Sequence, residues 1–260
     1  MTTHTHHTPG SVSWSDLSTP DLAGAMSFYR ELLGWEFTEP DPEMGGYANA
    51  TRDGALVAGI MPIMAEGQPS AWTTYLATDD AERTLGQVTE HGGSVVSGPH
   101  DAADLGRMAY ATDPTGASFG LWQAGTHTGF GLTEEPGSPG WFELWSQDHH
   151  QANNFYAALF GYDVEQVGDG DTFDYTVLQQ GGQMIAGTTA LPADAPDASS
   201  YWLPYFIVDD TDATAATATG LGGAVLRAPE DSPHGRLAVL KDPFGAQLAV
   251  IGMMDQPAGT

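Results

Sequence analysis

Apolar and polar residues alternate with a period of two at 11 to 18 and again at 140 to 146. In the second stretch Trp141, Glu143 and Trp145 share one face while Phe142 and Leu144 share the other, so each stretch predicts a strand. The period then changes to that of a helix. Leu22, Ala25, Met26, Tyr29, Leu32 and Leu33 form an apolar stripe that Thr19-Pro20-Asp21 opens and Gly34 stops; Ala152, Phe155, Tyr156, Leu159 and Phe160 form another between Asp148 and Gly161. Short strands separated by glycine turns are predicted at 35 to 39, 46 to 51 and 55 to 61, and at 162 to 167, 173 to 179 and 183 to 190. Further strands start at Trp72 and Trp202 and run into Asp79-Asp80 and Asp209-Asp210. Helices follow near 80 to 91 and 210 to 220, ending at paired glycines. Asp-Pro-x-Gly at 113 and 242 has type I turn chemistry and predicts a hairpin in which the aspartates are structural.

The pattern is written twice. Residues 14 to 35 align without a gap on 141 to 162: Trp14 on Trp141, Asp16 on Glu143, Leu17 on Leu144, Phe28-Tyr29 on Phe155-Tyr156, Gly34 on Gly161. The run from Gly106 to Ala117 aligns on the run from Gly235 to Ala246 in the same way. A duplicated module is therefore expected, with a leader at 1 to 9, modules at 10 to 124 and 139 to 254, a Gly/Pro/Ser/Thr-rich linker at 125 to 138 and a tail at 255 to 260.

Composition narrows the function. The 260 residues carry 7 basic and 34 acidic side chains, a net charge of -27, and this field repels phosphate backbones and anionic lipid. Neither nucleic acid nor a membrane is expected as a partner. No run approaches the roughly 18 apolar residues of a membrane span, and the N-terminus has no signal-peptide pattern, so a cytoplasmic protein is expected. Cysteine is absent, which removes disulfides, thiolate nucleophiles and thiolate metal sites. No phosphate-binding loop, dinucleotide fingerprint or Gly-x-Ser-x-Gly elbow is present, and no cofactor is implied. His4, His6 and His7 read as part of a disordered leader, and His149-His150 as exposed residues capping a helix.

A strand, a helix ending in Phe-Tyr-x-x-(Leu/Phe)-(Leu/Phe)-Gly, three strands, a second βαβββ unit and a closing Asp-Pro-x-Gly hairpin resemble the vicinal oxygen chelate superfamily. That superfamily includes glyoxalase I, extradiol dioxygenases and bleomycin-resistance proteins. Trp-x-(Asp/Glu)-Leu at the first strand is similar to a tandem actinobacterial subgroup labelled glyoxalase-like or hydroxylase. The resemblance implies an α+β fold in which each module curls two βαβββ units into a cup-like mixed sheet with helices outside. It also implies metal ligands on the cup walls, at positions that here hold Trp14, Thr73 and Gly120 in one module and Trp141, Leu203 and Ala249 in the other. None is a competent donor for a divalent ion. The family's metal is therefore not expected.

Strand alternation extends each implied wall to residues two positions away. The expected lining comprises Trp14, Asp16, Ser18, Thr73, Tyr75, Ala77, Ser118, Gly120 and Trp122 in one cup, and Trp141, Glu143, Trp145, Leu203, Tyr205, Ile207, Gln247, Ala249 and Ile251 in the other. Asp16 and Glu143 beside indoles are candidate acid-base groups, with capping of a backbone amide or pairing to Arg107 or Arg236 as the structural alternative. Tyr75 and Tyr205 are candidate donors to a carbonyl, and His234, before a strand near the cup mouth, is the candidate proton-carrying histidine. Trp14, Trp122, Trp141, Trp145, Thr73 and Gln247 are candidate ligand contacts. The first expectation is a metal-independent protein that binds an aromatic or cationic natural product, conferring resistance by sequestration. The alternative is a metal-free cyclase, isomerase, lyase or hydroxylase using carboxylate, tyrosine or histidine, and a third reading makes the cups vestigial. A monomer or a homodimer is compatible with a fused pair of modules.

Overall fold

The structure is a computed structural model and describes residues 7–168, 174–192 and 198–253. Residues 1–6 of the leader, 169–173, 193–197 of the connection after Pro192, and 254–260, which include the whole expected tail, lie outside the described residues. In the first module β1 (Val12–Thr19), α1 (Leu22–Leu33), β2 (Glu36–Phe37), β3 (Ala48–Arg52) and β4 (Ala55–Pro62) form one unit. The second unit comprises β5 (Ala71–Ala77), α2 (Ala81–Glu90), β6 (Ser94–Ala102), β7 (Gly106–Thr112) and β8 (Ser118–Ala124). The second module repeats this with β9 (Pro139–Ser146), α3 (His149–Phe160), β10 (Asp163–Val167), β11 (Tyr175–Gln180), β12 (Gln183–Ala190), β13 (Tyr201–Ile207), α4 (Thr211–Gly220), β14 (Ala224–Ser232), β15 (Gly235–Lys241) and β16 (Gln247–Met253).

Each module is one eight-stranded mixed sheet, ordered β2-β3-β4-β1-β5-β8-β7-β6 and β10-β11-β12-β9-β13-β16-β15-β14. The first strand of each unit pairs in parallel with the last, and the two units join antiparallel at β1–β5 and β9–β13. Every helix is capped as its sequence dictates. Asp21, Asp80, Asp148 and Asp210 each accept a hydrogen bond from a first-turn amide, and Gly34 and Gly161 take the left-handed conformation that ends α1 and α3.

The helices lie on the convex faces, but the cores do not follow module boundaries. One core joins Phe28, Tyr29 and Leu32 of α1 to Phe206, Ala215, Leu240 and Leu248 of the second module. The other joins Phe155, Tyr156 and Leu159 of α3 to Leu76, Leu85, Phe119 and Leu121 of the first. The Phe-Tyr pair therefore packs across to the opposite copy. Both turn aspartates are structural, as expected: the Asp113 Oδ1 accepts from Thr115 and Ala117 amides, and that of Asp242 from Phe244 and Ala246. Asp242 also accepts from the Tyr29 hydroxyl at 3.1 Å, and Tyr156 is set against Asp113.

The segment from 125 to 138 packs tightly instead of spanning free space. Phe130 and Leu132 are buried, the Phe130 amide bonds to the Ser13 carbonyl, and Gly131 and Leu132 bond to the Leu56 carbonyl. The linker thus fills the gap where β1 and β4 diverge.

Candidate functional site

The concave face of each sheet carries one carboxylate at matched positions, and each is clasped by phenols. In the first cup the Tyr75 hydroxyl donates to Asp16 Oδ2 at 2.9 Å and sits 2.8 Å from the Tyr110 hydroxyl. Tyr47 bonds to Asp16 from the other side, while its oxygen accepts from Trp14 Nε1 at 2.7 Å. In the second cup Tyr175 and Tyr205 donate to the two oxygens of Glu143 at 2.8 and 2.5 Å, and Trp145 Nε1 adds a third donor at 2.9 Å. Trp141 Nε1 donates to Tyr175 at 2.9 Å, as Trp14 does to Tyr47. The unit of carboxylate, two phenols and indole has been copied with the fold.

Tyr47 and Tyr175 were not among the residues singled out by sequence, because Tyr47, bridged to Asp41 just before β3, and Tyr175, the first residue of β11, lie away from the aligned motifs. A glycine opposite each makes room for them. A β-carbon on Gly59 would fall 1.8 Å from the Tyr47 hydroxyl, and one on Gly187 would fall 1.8 Å from that of Tyr175. These two glycines have ordinary backbone angles, so they are needed for close approach rather than for backbone freedom. Gly120, an implied ligand position, works similarly: the Tyr75 ring occupies the space that a side chain there would take.

The remaining candidates divide. Thr73 is paired with Asp16 across β1 and β5, and Leu203 with Glu143 across β9 and β13, which places both on the cup face. Trp145, Leu203, Tyr205, Ile207, Ala249 and Ile251 form a separate apolar cluster in the second cup, as strand alternation anticipates. Trp145 stacks on the half-buried Tyr201 with ring centroids 6.1 Å apart. Gln247 continues this face to the exposed start of β16. Trp122 is held by the linker, donating to the His127 carbonyl at 2.9 Å, and the His127 ring wedges edge-on against both Trp14 and Trp122. His234 is exposed in the β14–β15 turn and is not among the hydrogen-bond partners of Glu143. The arginine pairings go elsewhere: Arg107 to Asp101, and Arg236 to Asp212 and Asp231. With donors that are phenols and indoles, neither carboxylate forms an ion pair with a basic side chain among the described residues.

Asp16 consequently titrates far from its usual range. Burial raises its pKa from 3.8 to about 7, against the opposing hydrogen bonds of Tyr75 and Tyr47. Burial and the Asp16 charge push the Tyr47 and Tyr75 hydroxyls well above 10, and Tyr110 to about 12, so all three remain proton donors near neutrality. Tyr175 and Tyr205 are likewise raised by burial and by Glu143. An open groove of about 410 Å3, lined by His91, Pro114, Gln151, Asn154 and Phe155 among others, lies outside both cups. It brings none of these groups together.

This geometry can be compared with known proteins. Residues 7–121 match the Glyoxalase/Bleomycin resistance protein/Dioxygenase superfamily, and residues 141–251 match a glyoxalase-like domain. The chain belongs to the glyoxalase/bleomycin resistance protein/dioxygenase superfamily. Among its relatives in this superfamily is "Putative glyoxylase CFP32" of Mycobacterium bovis, 40% identical over 257 residues, covering 96% of this chain and 98% of the relative. Anthracycline biosynthesis protein DnrV of Streptomyces peucetius is 37% identical over 266 residues, covering 96% of each. The fold matches the 2,3-dioxygenase LapB from Pseudomonas sp. KL28 with a TM-score of 0.66 at 14% identity, covering 96% of this chain and 95% of that one. It also matches the Mn(II)-bound glyoxalase from Novosphingobium aromaticivorans at 0.64 and 18%, covering 94% and 82%.

A metal of the kind bound by such proteins does not fit these cups. The wall residues Trp14, Thr73 and Gly120, and Trp141, Leu203 and Ala249, offer no imidazole or carboxylate. Among the described residues the one group of three His, Asp or Glu side chains within metal-binding reach lies elsewhere. Each cup has one carboxylate, already held by phenols.

Proposed function

We propose that the protein binds a planar aromatic small molecule of natural-product type in its cups without a metal. The observation that carries this reading is the repeated buried carboxylate, clasped by phenols inside an aromatic wall: apolar faces supply area for a flat ligand, and a few fixed polar groups orient it. The full-length likeness to anthracycline biosynthesis proteins supports a polycyclic aromatic ligand.

One observation favours a second reading, a metal-free acid-base enzyme. Burial raises the Asp16 pKa to about 7, so the carboxyl can both give and take a proton near neutrality, and Tyr75 links it to Tyr110. That is the arrangement needed to move a proton to or from a carbonyl compound in an isomerisation, cyclisation or elimination.

Titration of the chelator-treated protein with hydroxyanthraquinones, followed by tryptophan fluorescence, tests binding. Saturable quenching is expected, weakened in Glu143→Gln or Asp16→Asn. Quenching that requires an added divalent ion overturns the metal-free reading. Chromatography of the recovered ligand separates the two proposals: unchanged ligand supports binding alone, and a new product lost in Asp16→Asn supports proton transfer.

A further inference from the structure

We propose that His149, His150 and Asp174 form a site for one divalent first-row transition-metal ion, on the convex side of the second module and outside both cups. His149 and His150 open α3, where the sequence suggests exposed capping residues. Asp148 caps the helix, its side chain accepting from the Gln151 amide, and His149 is not exposed but buried, at 5% exposure. Its Nε2 lies 3.1 Å from Asp174 Oδ2, and the His150 Nε2 lies 3.6 Å from the same oxygen. The two rings face one another with centroids 4.1 Å apart.

The detail that singles out this cluster is the orientation of His149. Its buried Nε2 has no hydrogen-bond partner, because the short approach to Asp174 lacks the alignment of an N–H···O bond. A buried nitrogen that points toward a carboxylate without bonding to it, beside a second nitrogen doing nearly the same, is the arrangement of donors around a shared cation. All three ligand atoms lie within 4.8 Å of one another. Ligand bonds of about 2.0–2.2 Å to a zinc-like ion then need only small rotations.

The surroundings supply what such a site requires. Asp174 is oriented from behind: its Oδ1 accepts from Gln166 Nε2 at 2.9 Å and its carbonyl from the Thr189 hydroxyl at 3.1 Å. The net charge of -27 attracts cations to the protein as a whole. Two nitrogens and one oxygen select Zn2+, Co2+, Ni2+ or Cu2+ over Mg2+ or Ca2+, with water completing the shell. In the first module the matched helix opens with Leu22 and Ala23, so the site belongs to one copy only.

The site also touches the second cup through the chain. Asp174 immediately precedes Tyr175, whose hydroxyl bonds to Glu143 and to Trp141. Fixing Asp174 fixes the start of the strand that presents this phenol, so metal binding is expected to change Trp141 fluorescence.

The test uses the full chain after chelator treatment, in a background with His4, His6 and His7 replaced by alanine to remove the leader's imidazoles. Titration with Co2+, read by its visible absorption, and with Zn2+, read by calorimetry, is expected to show one equivalent. His149→Ala and His150→Ala should abolish that equivalent, and Asp174→Asn should weaken it by about tenfold or more, all with unchanged circular dichroism. Glu143→Gln should retain it. Absence of a stoichiometric ion overturns the proposal, as does an equivalent that survives loss of both histidines. An ion lost in Glu143→Gln but kept without the two histidines lies in the cup; it overturns this site and, separately, the metal-free reading of the cups.

Discussion

Replacing Asp16 with asparagine isolates the energetic consequence of burying this carboxyl. In the folded protein the group keeps its proton up to about pH 7, whereas an unfolded chain releases it near 3.8. Between those values the folded state binds more protons, so this residue makes stability fall as pH rises. Its contribution is intact below about pH 4 and lost as the pH passes through 7. At about 1.36 kcal/mol per pKa unit, a shift of roughly three units corresponds to about 4 kcal/mol, an upper value for a buried and hydrogen-bonded group. Asparagine stays neutral at every pH and still offers an oxygen to the Tyr75 hydroxyl, so it imitates the protonated form. Urea unfolding at fixed ionic strength from pH 4.5 to 8.5, followed by circular dichroism, should show the wild type losing about 2–4 kcal/mol relative to Asp16→Asn across this range. The difference between the two curves removes the effect of the other acidic residues. Parallel curves would show that Asp16 ionises in the folded protein as it does in water, and the argument for a neutral buried carboxyl would fail.

Three further outcomes follow from the packing. Gly59→Ala places a methyl group against the Tyr47 hydroxyl and Asp16. It should cost about 1–3 kcal/mol in the urea midpoint and remove the pH dependence described above, while Gly54→Ala at an open turn leaves that dependence unchanged. Tyr29→Phe leaves the buried Asp242 Oδ2 without its donor from the opposite module; a loss of about 1–3 kcal/mol in thermal or urea unfolding is expected, and a change below a few tenths would show the contact to be inert. Phe130→Ala empties the fully buried position by which the linker inserts between Trp14 and Phe142. A cost of about 3–5 kcal/mol is expected, whereas a free connector would tolerate the change at almost no cost.

The strand and helix order, the capping aspartates and the turn aspartates were legible because each is a local rule acting on adjacent residues. The walls of the second cup were legible too, since alternation along β9, β13 and β16 fixes which side chains share a face. The partners of Asp16 and Glu143 were less accessible. Tyr75 and Tyr205, one pair along from Thr73 and Leu203, were placed on the cup walls as donors to a ligand and not as partners of the carboxylates, and Tyr47 and Tyr175 reach over Gly59 and Gly187 from segments where no run of matched residues marks the register. Carrying the comparison of the two copies into β3 and β4 would have shown a Tyr and a Gly repeated together. The arginines assigned as alternative partners bind exposed carboxylates at the sheet edges instead, Arg107 to Asp101 on β6 and Arg236 to Asp231 on β14 and Asp212 on α4, because a guanidinium keeps most of its hydration there. His149 looked like an exposed helix opener; what buries it is Asp174 at the start of β11, a long-range contact that helix propensity does not report.

The crossed cores set how the molecule comes apart. Each apolar centre is built from the first unit of one copy and the second unit of the other, so separating the copies would strip both centres at once and expose Tyr29, Tyr156 and the helices around them. Melting is therefore a single cooperative event, with calorimetric and van't Hoff enthalpies in agreement, where a chain of two independent repeats would show two. The two cups share one folding equilibrium: a ligand that stabilises either of them raises the melting temperature of both.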